Sequence, residues 1–346
     1  MTDSLALAEF AYGLPKAELH LHLEGTLEPE LKFELAARNG IELAEKTFEE
    51  VKATYNFTDL TSFLAVYYPA MQVLQTADDF HDLAWAYLLR AKEQGVVHAE
   101  MFFDPQAHTS RGVPFENVIT GYHRAAVRAG DELGISAELI LCFLRDFSAE
   151  DAAATLESAL PYKDWIIGVG LDSDERDNPP SKFSEVFARA RAEGFRLTMH
   201  CDIDQVGSID NIRAVLTDIR VERIDHGTNI VEDPELVAIA KERGLGFTCC
   251  PVSNSFVTEQ MKADEIVSLL RAGLRVMINS DDPAYFGAYV GDNYVALAEQ
   301  AGLSETDLVQ FAINSFEASW LTPEQKAAFV ERVGEYAGSR GVALPV

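Results

Sequence analysis

The run AELHLHL, residues 17–23, alternates Leu19, Leu21 and Leu23 with Glu18, His20 and His22. A period of two marks a β-strand, and it places His20 and His22 on the same face. Seven further short apolar runs follow: VVHAEMFF (96–103), ISAELILCFL (135–144), WIIGVGL (165–171), FRLTMH (195–200), VERIDH (221–226), LGFTCC (245–250) and LRVMINS (274–280). The segments between them have helical spacing. In TADDFHDLAWAYLLRAKEQG (76–95), Phe80, Leu83, Ala84, Tyr87, Leu88 and Ala91 recur at i, i+3, i+4 and i+7. PPSKFSEVFARARAEG (179–194) opens with prolines, offers Ser181 as a cap and stops at Gly194. VEDPELVAIAKERG (231–244) and MKADEIVSLLRAG (261–273) follow the same grammar, each closed by glycine.

Eight alternating β and α units predict parallel strands joined by right-handed crossovers. Closed on itself, such a sheet is a (β/α)8 TIM-like barrel, with its active site at the C-terminal ends of the strands. An open doubly wound sheet is the competing arrangement. The remaining length is assigned to a helical insertion after the first strand (28–94) and a helical C-terminal tail (304–340). No internal repeat or low-complexity linker interrupts the chain, so residues 1–346 read as a single domain.

Hydrophobic residues make up 48% of the 346 and charged residues 24%, enough apolar material to offset the entropy of ordering, which excludes a mostly disordered chain. With 28 Lys and Arg against 56 Asp and Glu, the net charge is −28. That field repels phosphate backbones and anionic lipid, so neither nucleic acid nor a membrane surface is expected as a partner. Cys142, Cys201, Cys249 and Cys250 show no C-x-x-C spacing and read as small buried hydrophobes. The opening MTDSLALAEF lacks the basic and apolar regions of a signal peptide. Apolar runs such as LILCFL (139–144) fall far short of the roughly 20 residues that span a bilayer. A cytoplasmic protein with a small-molecule substrate is the expectation.

Polar residues with metal-binding chemistry collect at the strand ends. His200 closes the fifth strand, His226 closes the sixth, and Asp281 and Asp282 follow the eighth in INSDDPAYFG. A lone histidine in a strand is more often a satisfied core residue, and Asp-Asp-Pro also starts turns. Two histidines at period two among leucines favour a metal. Imidazole with carboxylate suits zinc, with an open position for a water whose pKa falls from about 15.7 towards about 7. His81, His98, His108 and His123 lie elsewhere and read as structural or solvated.

This ordered set resembles the adenosine/adenine deaminase family of the amidohydrolase superfamily. LPKAELHLHLEGTLEPEL (14–31), FFDPQAHTSRGVPFE (102–116), VGLDSDE (169–175), PPSKF (179–183), VERIDHG (221–227), CPVSN (250–254) and NSDDPAYFGAYV (279–290) are most similar to bacterial adenine deaminases. The resemblance implies His20, His22, His200 and Asp281 as ligands of one Zn2+. Two-metal members of the superfamily often carry a carboxylated lysine after the fourth strand, where this chain has Gly170-Leu171-Asp172. It also implies that His226 orients the water and accepts its proton, that Asp282 bonds purine N7, and that Ser173 or its backbone meets the pyrimidine edge. The implied reaction is hydrolytic deamination of a 6-aminopurine, adenine to hypoxanthine and ammonia.

One position departs from that pattern. The family follows its fifth-strand histidine with Ala-Gly-Glu, and the glutamate protonates N1 as hydroxide adds to C6. This chain reads His200-Cys201-Asp202-Ile203-Asp204-Gln205, with Ile203 in the glutamate's place. A general acid is worth about 10²–10⁴-fold. Asp202 shares the side of His200 if the strand continues, and Asp204 reaches inward if the chain bulges, so either could replace it. N6-substituted adenines or adenosine are the alternative substrates, and a metal-retaining barrel that binds purine without turnover is the alternative class.

Overall fold

Eight strands follow one another around a parallel sheet in chain order: β1 (Lys16–Glu18), β2 (Val96–Phe103), β3 (Ser136–Leu144), β4 (Ile166–Asp172), β5 (Arg196–Cys201), β6 (Arg223–His226), β7 (Gly246–Cys249) and β8 (Arg275–Ile278). The computed structural model describes residues 2–201, 203–258 and 260–345. Each predicted run overlaps its strand, and VVHAEMFF occupies all of β2. The last pair, β8 and β1, is joined differently. A lone bridge links Leu21 to Asp281. The His22 N–H donates to the Asp281 carbonyl at 3.0 Å, and the Asp281 N–H to the His20 carbonyl at 3.1 Å. With that seam the sheet nearly closes, as the barrel expectation requires.

β1 covers 16–18 rather than the predicted 17–23 because side chains take over its ladder. The N–H groups of Ala17 and Leu19 donate to Ser315 Oγ and Asn279 Oδ1 at 2.9 and 2.8 Å. Helices Pro29–Asn39, Phe48–Ala53, Leu60–Ala70 and Ala77–Glu93 fill the expected insertion. The last starts at Thr76, whose hydroxyl accepts from the Asp79 N–H while Asp79 accepts from the Thr76 N–H, a reciprocal cap. The cap expected at Ser181 does not form. With Pro180 fixing its first position, Pro180–Phe183 makes a tight turn, and the helix begins only at Ser184. The expected tail is two helices, Glu305–Ala318 and Pro323–Ser339. The first packs on β8 and β1, so it is a barrel helix lying behind the seam. A helix that the sequence reading did not anticipate, Thr2–Gly13, lies against Val290–Ala301 and Glu305–Ala318.

At the opposite end of the strands from the histidines, Glu100 pairs with buried Arg223 and accepts from the Trp320 N–H. Charges this deep persist only when paired and hydrogen-bonded. All four cysteines are buried and none of them forms a disulfide. No helix among the described residues is long and apolar enough to cross a membrane.

Candidate metal centre

Three site residues hold left-handed backbone at strand ends: Ser173 after β4 (φ 72°), His226 ending β6 (φ 55°) and Asp281 beyond β8 (φ 67°). Side chains other than glycine avoid this region, and such strain persists where the surroundings over-determine it. Here it bends each strand end at the rim of the site.

The ring nitrogens converge. His22 Nε2 lies 3.1 Å from His200 Nε2, a spacing at which two imidazole nitrogens need a shared proton or a cation between them. His20 Nε2 and His22 Nε2 lie 3.2 and 3.4 Å from Asp281 Oδ1. His226 Nε2 is 3.7 Å from Asp281 Oδ2. Ligand atoms of His20, His200, His226 and Asp281 all fall within 4.8 Å of one another, and all four residues are buried.

Behind them, polar groups lie close to the Nδ1 atoms. His22 Nδ1 is 3.3 Å from Asp172 Oδ2, and His200 Nδ1 is 3.5 Å from Asp225 Oδ2. His20 Nδ1 is 2.9 Å from Thr248 Oγ1, and that hydroxyl donates to Asp225 Oδ1 at 2.8 Å. Thr248 therefore accepts from His20 Nδ1–H, which leaves the Nε2 lone pair facing the centre. This arrangement of histidines held from behind by carboxylates and hydroxyls is how proteins orient metal ligands. The donor set fits a divalent ion. The Nδ1 atoms of His200 and His226 have no hydrogen-bond partner.

The charges follow the same geometry. Burial, then neighbouring His20 and His22, push His200 well below the usual imidazole range. Burial and His20 bring His226 down to about 4, so it is neutral near pH 7. Against the effect of burial, the histidines hold Asp281 well below the carboxylate range. Ser253 Oγ donates to Asp281 Oδ2 at 2.6 Å. Burial, then Asp281, push Asp282 well above that range. Gly25 packs on Asp282 so closely that a Cβ there would collide with the aspartate's Cα and carboxylate.

One cavity opens over this centre, lined by His22, His200, His226, Asp281, Asp282, Asp104, Asp172 and Ser173. Its apolar wall comes from helix Leu60–Ala70, through Leu60, Phe63, Leu64 and Tyr67, together with Ile203, Val257 and Phe286. Tyr68 donates to Ser173 Oγ at 2.8 Å. Of the expected site residues, the structure thus gathers His20, His22, His200, His226, Asp281, Asp282 and Ser173. Asp204 is not brought in. Its carboxylate pairs with Lys262 Nζ at 2.6 Å and accepts from Asn229 Nδ2 at 3.0 Å, outside the cavity lining. Asp202 lies outside the described residues. Asp172, Asp225, Thr248 and Ser253 escaped the sequence reading. Only Asp225 carried a signal, its place beside His226 in RIDHG.

The four histidines read as structural have such roles. His98 Nε2 lies 3.2 Å from Glu100, His108 Nε2 lies 2.8 Å from Glu24, His123 stacks on Trp165 and His81 meets Asp82.

Residues 15–336 match the family model described as adenosine deaminase. An adenine deaminase of Geotalea uraniireducens is 53% identical over 96% of this chain and 95% of its own length. The crystal structure of adenine deaminase from Arthrobacter aurescens superposes with a TM-score of 0.90 at 43% identity, over 94% of this chain and 99% of that one. An amidohydrolase of Burkholderia ambifaria with bound zinc superposes with a TM-score of 0.87 at 28% identity, over 96% and 94%.

Proposed function

The chain belongs to the adenosine deaminase family, and from that premise we propose that it hydrolyses adenine to hypoxanthine and ammonia with the help of one bound zinc ion. The observation that carries this reading is the gathering of His20, His22 and His200 around Asp281 in one buried cluster, with His20 Nδ1 held from behind by Thr248. Zinc held there would lower the pKa of a water to about 7 and so provide a nucleophile near neutrality.

The chain's own residues supply the rest. His226, neutral at pH 7 and without a partner on Nδ1, is assigned to orient the attacking water and accept its proton. Asp282 retains a proton and donates it to the N7 lone pair, which fixes the ring so that C6 faces His226. Ser173 lines the cavity at the end of β4 and is assigned to the pyrimidine edge. Asp204 is engaged by Lys262 and Ile203 has no proton to give, so the N1 proton is assigned to Asp202. Water adds at C6 as His226 takes one of its protons and N1 gains one from Asp202; His226 then passes its proton to the amino group, which leaves as ammonia, and the C6 hydroxyl proton returns to Asp202.

The test is an absorbance assay with adenine, adenosine and N6-methyladenine, with metal content measured alongside. Adenine should be converted by protein carrying about one zinc per chain, and a chelator should abolish the conversion. His22→Ala should lose both metal and activity. Stoichiometric metal with wild-type turnover in that variant would sink the assignment.

A further inference from the structure

Asp104 follows β2 and plays no part in the mechanism above, yet it faces the same cavity. It is 2% exposed, and its Oδ1 has no hydrogen-bond partner. A buried oxygen left unpaired costs about 1–3 kcal/mol and calls for an explanation, of which a ligand donor is one. The residue is firmly placed. Its N–H donates to Glu24 Oε1 at 3.3 Å, and Glu24 is itself held by His108 and Tyr122.

The strand order says which purine atom Asp104 meets. Around adenine the atoms run C6, N1, N3, N9, N7. With N7 at Asp282 beyond β8 and C6 beside His226 on β6, the short arc through C5 spans β7. The remaining atoms must follow the long arc: N1 falls towards β5, N3 towards β4, and N9 towards β2 and β1. In free adenine N9 carries a hydrogen. In a nucleoside it carries a sugar.

We propose that Asp104 accepts the N9–H of the free base and thereby selects free base over nucleoside. This rests on the adenine reading above and names the group that decides which form of the purine is taken. Polar atoms of Asp104, Asp172 and His22 lie within 4.8 Å of one another. Asp104 Oδ1 is left without a partner at the cavity wall, so it is free to accept. A purine bearing a methyl group or ribose on N9 would leave that oxygen unpaired and press its substituent into the wall around Phe63 and Tyr67.

The experiment compares adenine with 9-methyladenine, measuring kcat/KM and bound metal for wild type, Asp104→Ala and Asp104→Asn. A site built around an N–H rejects the analogue without it strongly, so wild type should prefer adenine by at least about 10²-fold. Asp104→Ala should keep its metal, lose about that factor on adenine and little on 9-methyladenine, so the preference collapses. Asp104→Asn should retain the preference, because the amide oxygen still accepts. A purely structural carboxylate would not give that split. An unchanged preference in Asp104→Ala, or collapse in both variants, overturns the proposal while the deaminase reading stands. If wild type turns over neither compound, both readings fall. Should Asp104→Ala lose its metal, calorimetry of hypoxanthine against 9-methylhypoxanthine on Asp104→Ser makes the same comparison without turnover, and an unchanged ratio there also overturns it.

Discussion

Asp204 and Lys262 both adopt left-handed backbone, at φ 57°, and their side chains meet at 2.6 Å. Asn229 completes the link, donating to the Asp204 carboxylate and accepting from its N–H. Against the opposing effect of burial, Lys262 and Asn229 hold Asp204 below its ordinary range, so at neutral pH it has no proton to give. The pair pins the loop after β5, and because it is partly exposed it contributes no more than about 1 kcal/mol. Asp202→Asn should therefore cost about 10²–10⁴-fold in kcat with metal retained, and Asp204→Asn should stay close to wild type. Steady-state kinetics with metal analysis checks this, and the reverse ranking would move the acid to Asp204. The candidate ligands stood out in the sequence because imidazoles at strand ends, two of them at period two, have few structural uses. Asp172, Asp225, Thr248 and Ser253 were not, since each acts on a residue from a different strand or the loop after one, a relation that no local pattern carries.

Lys16 begins β1 and ties it to the end of helix Ala77–Glu93, donating to the Gln94 carbonyl at 2.5 Å. Burial pushes its ammonium down to about 7, with Glu18 opposing. In the unfolded chain a lysine holds its proton to about 10.4. Between about pH 7 and 10 the unfolded state therefore binds more protons, and stability rises with pH through that window. Below about pH 7 both states are protonated and the folded state carries the full cost of the buried charge. Lys16→Met should remove this slope. Urea midpoints at pH 7 and pH 9 should rise in wild type relative to the variant, and parallel profiles would refute the account. At this scale the sequence was informative where apolar runs were bounded by helical periodicity, as in β2 to β8. It failed where side chains replace ladder partners, at β1, and where a proline turn displaces a cap, at Ser181. Thr2–Gly13 was missed because its apolar residues do not fall on one face.

Across the whole molecule, the weakest stretch of the sheet coincides with the richest cluster of ligands. Seven strand pairs have ladders, while β8 and β1 meet through the Leu21–Asp281 bridge and two backbone hydrogen bonds. His20, His22 and Asp281 flank that junction. An ion bound only by the native arrangement stabilises it by mass action. Removing metal should therefore speed amide hydrogen exchange at His22 and Asp281 far more than at the centres of β3 and β4. Mass spectrometry or NMR can follow this, and uniform acceleration would contradict it.

The barrel is then a hoop fastened by its own reactive centre, with His20, His22 and Asp281 as the two halves of the clasp. Substitutions on the clasp should damage chemistry and container together. Changes at Asp104, beside the clasp but outside the seam, should alter what is held without loosening the hoop.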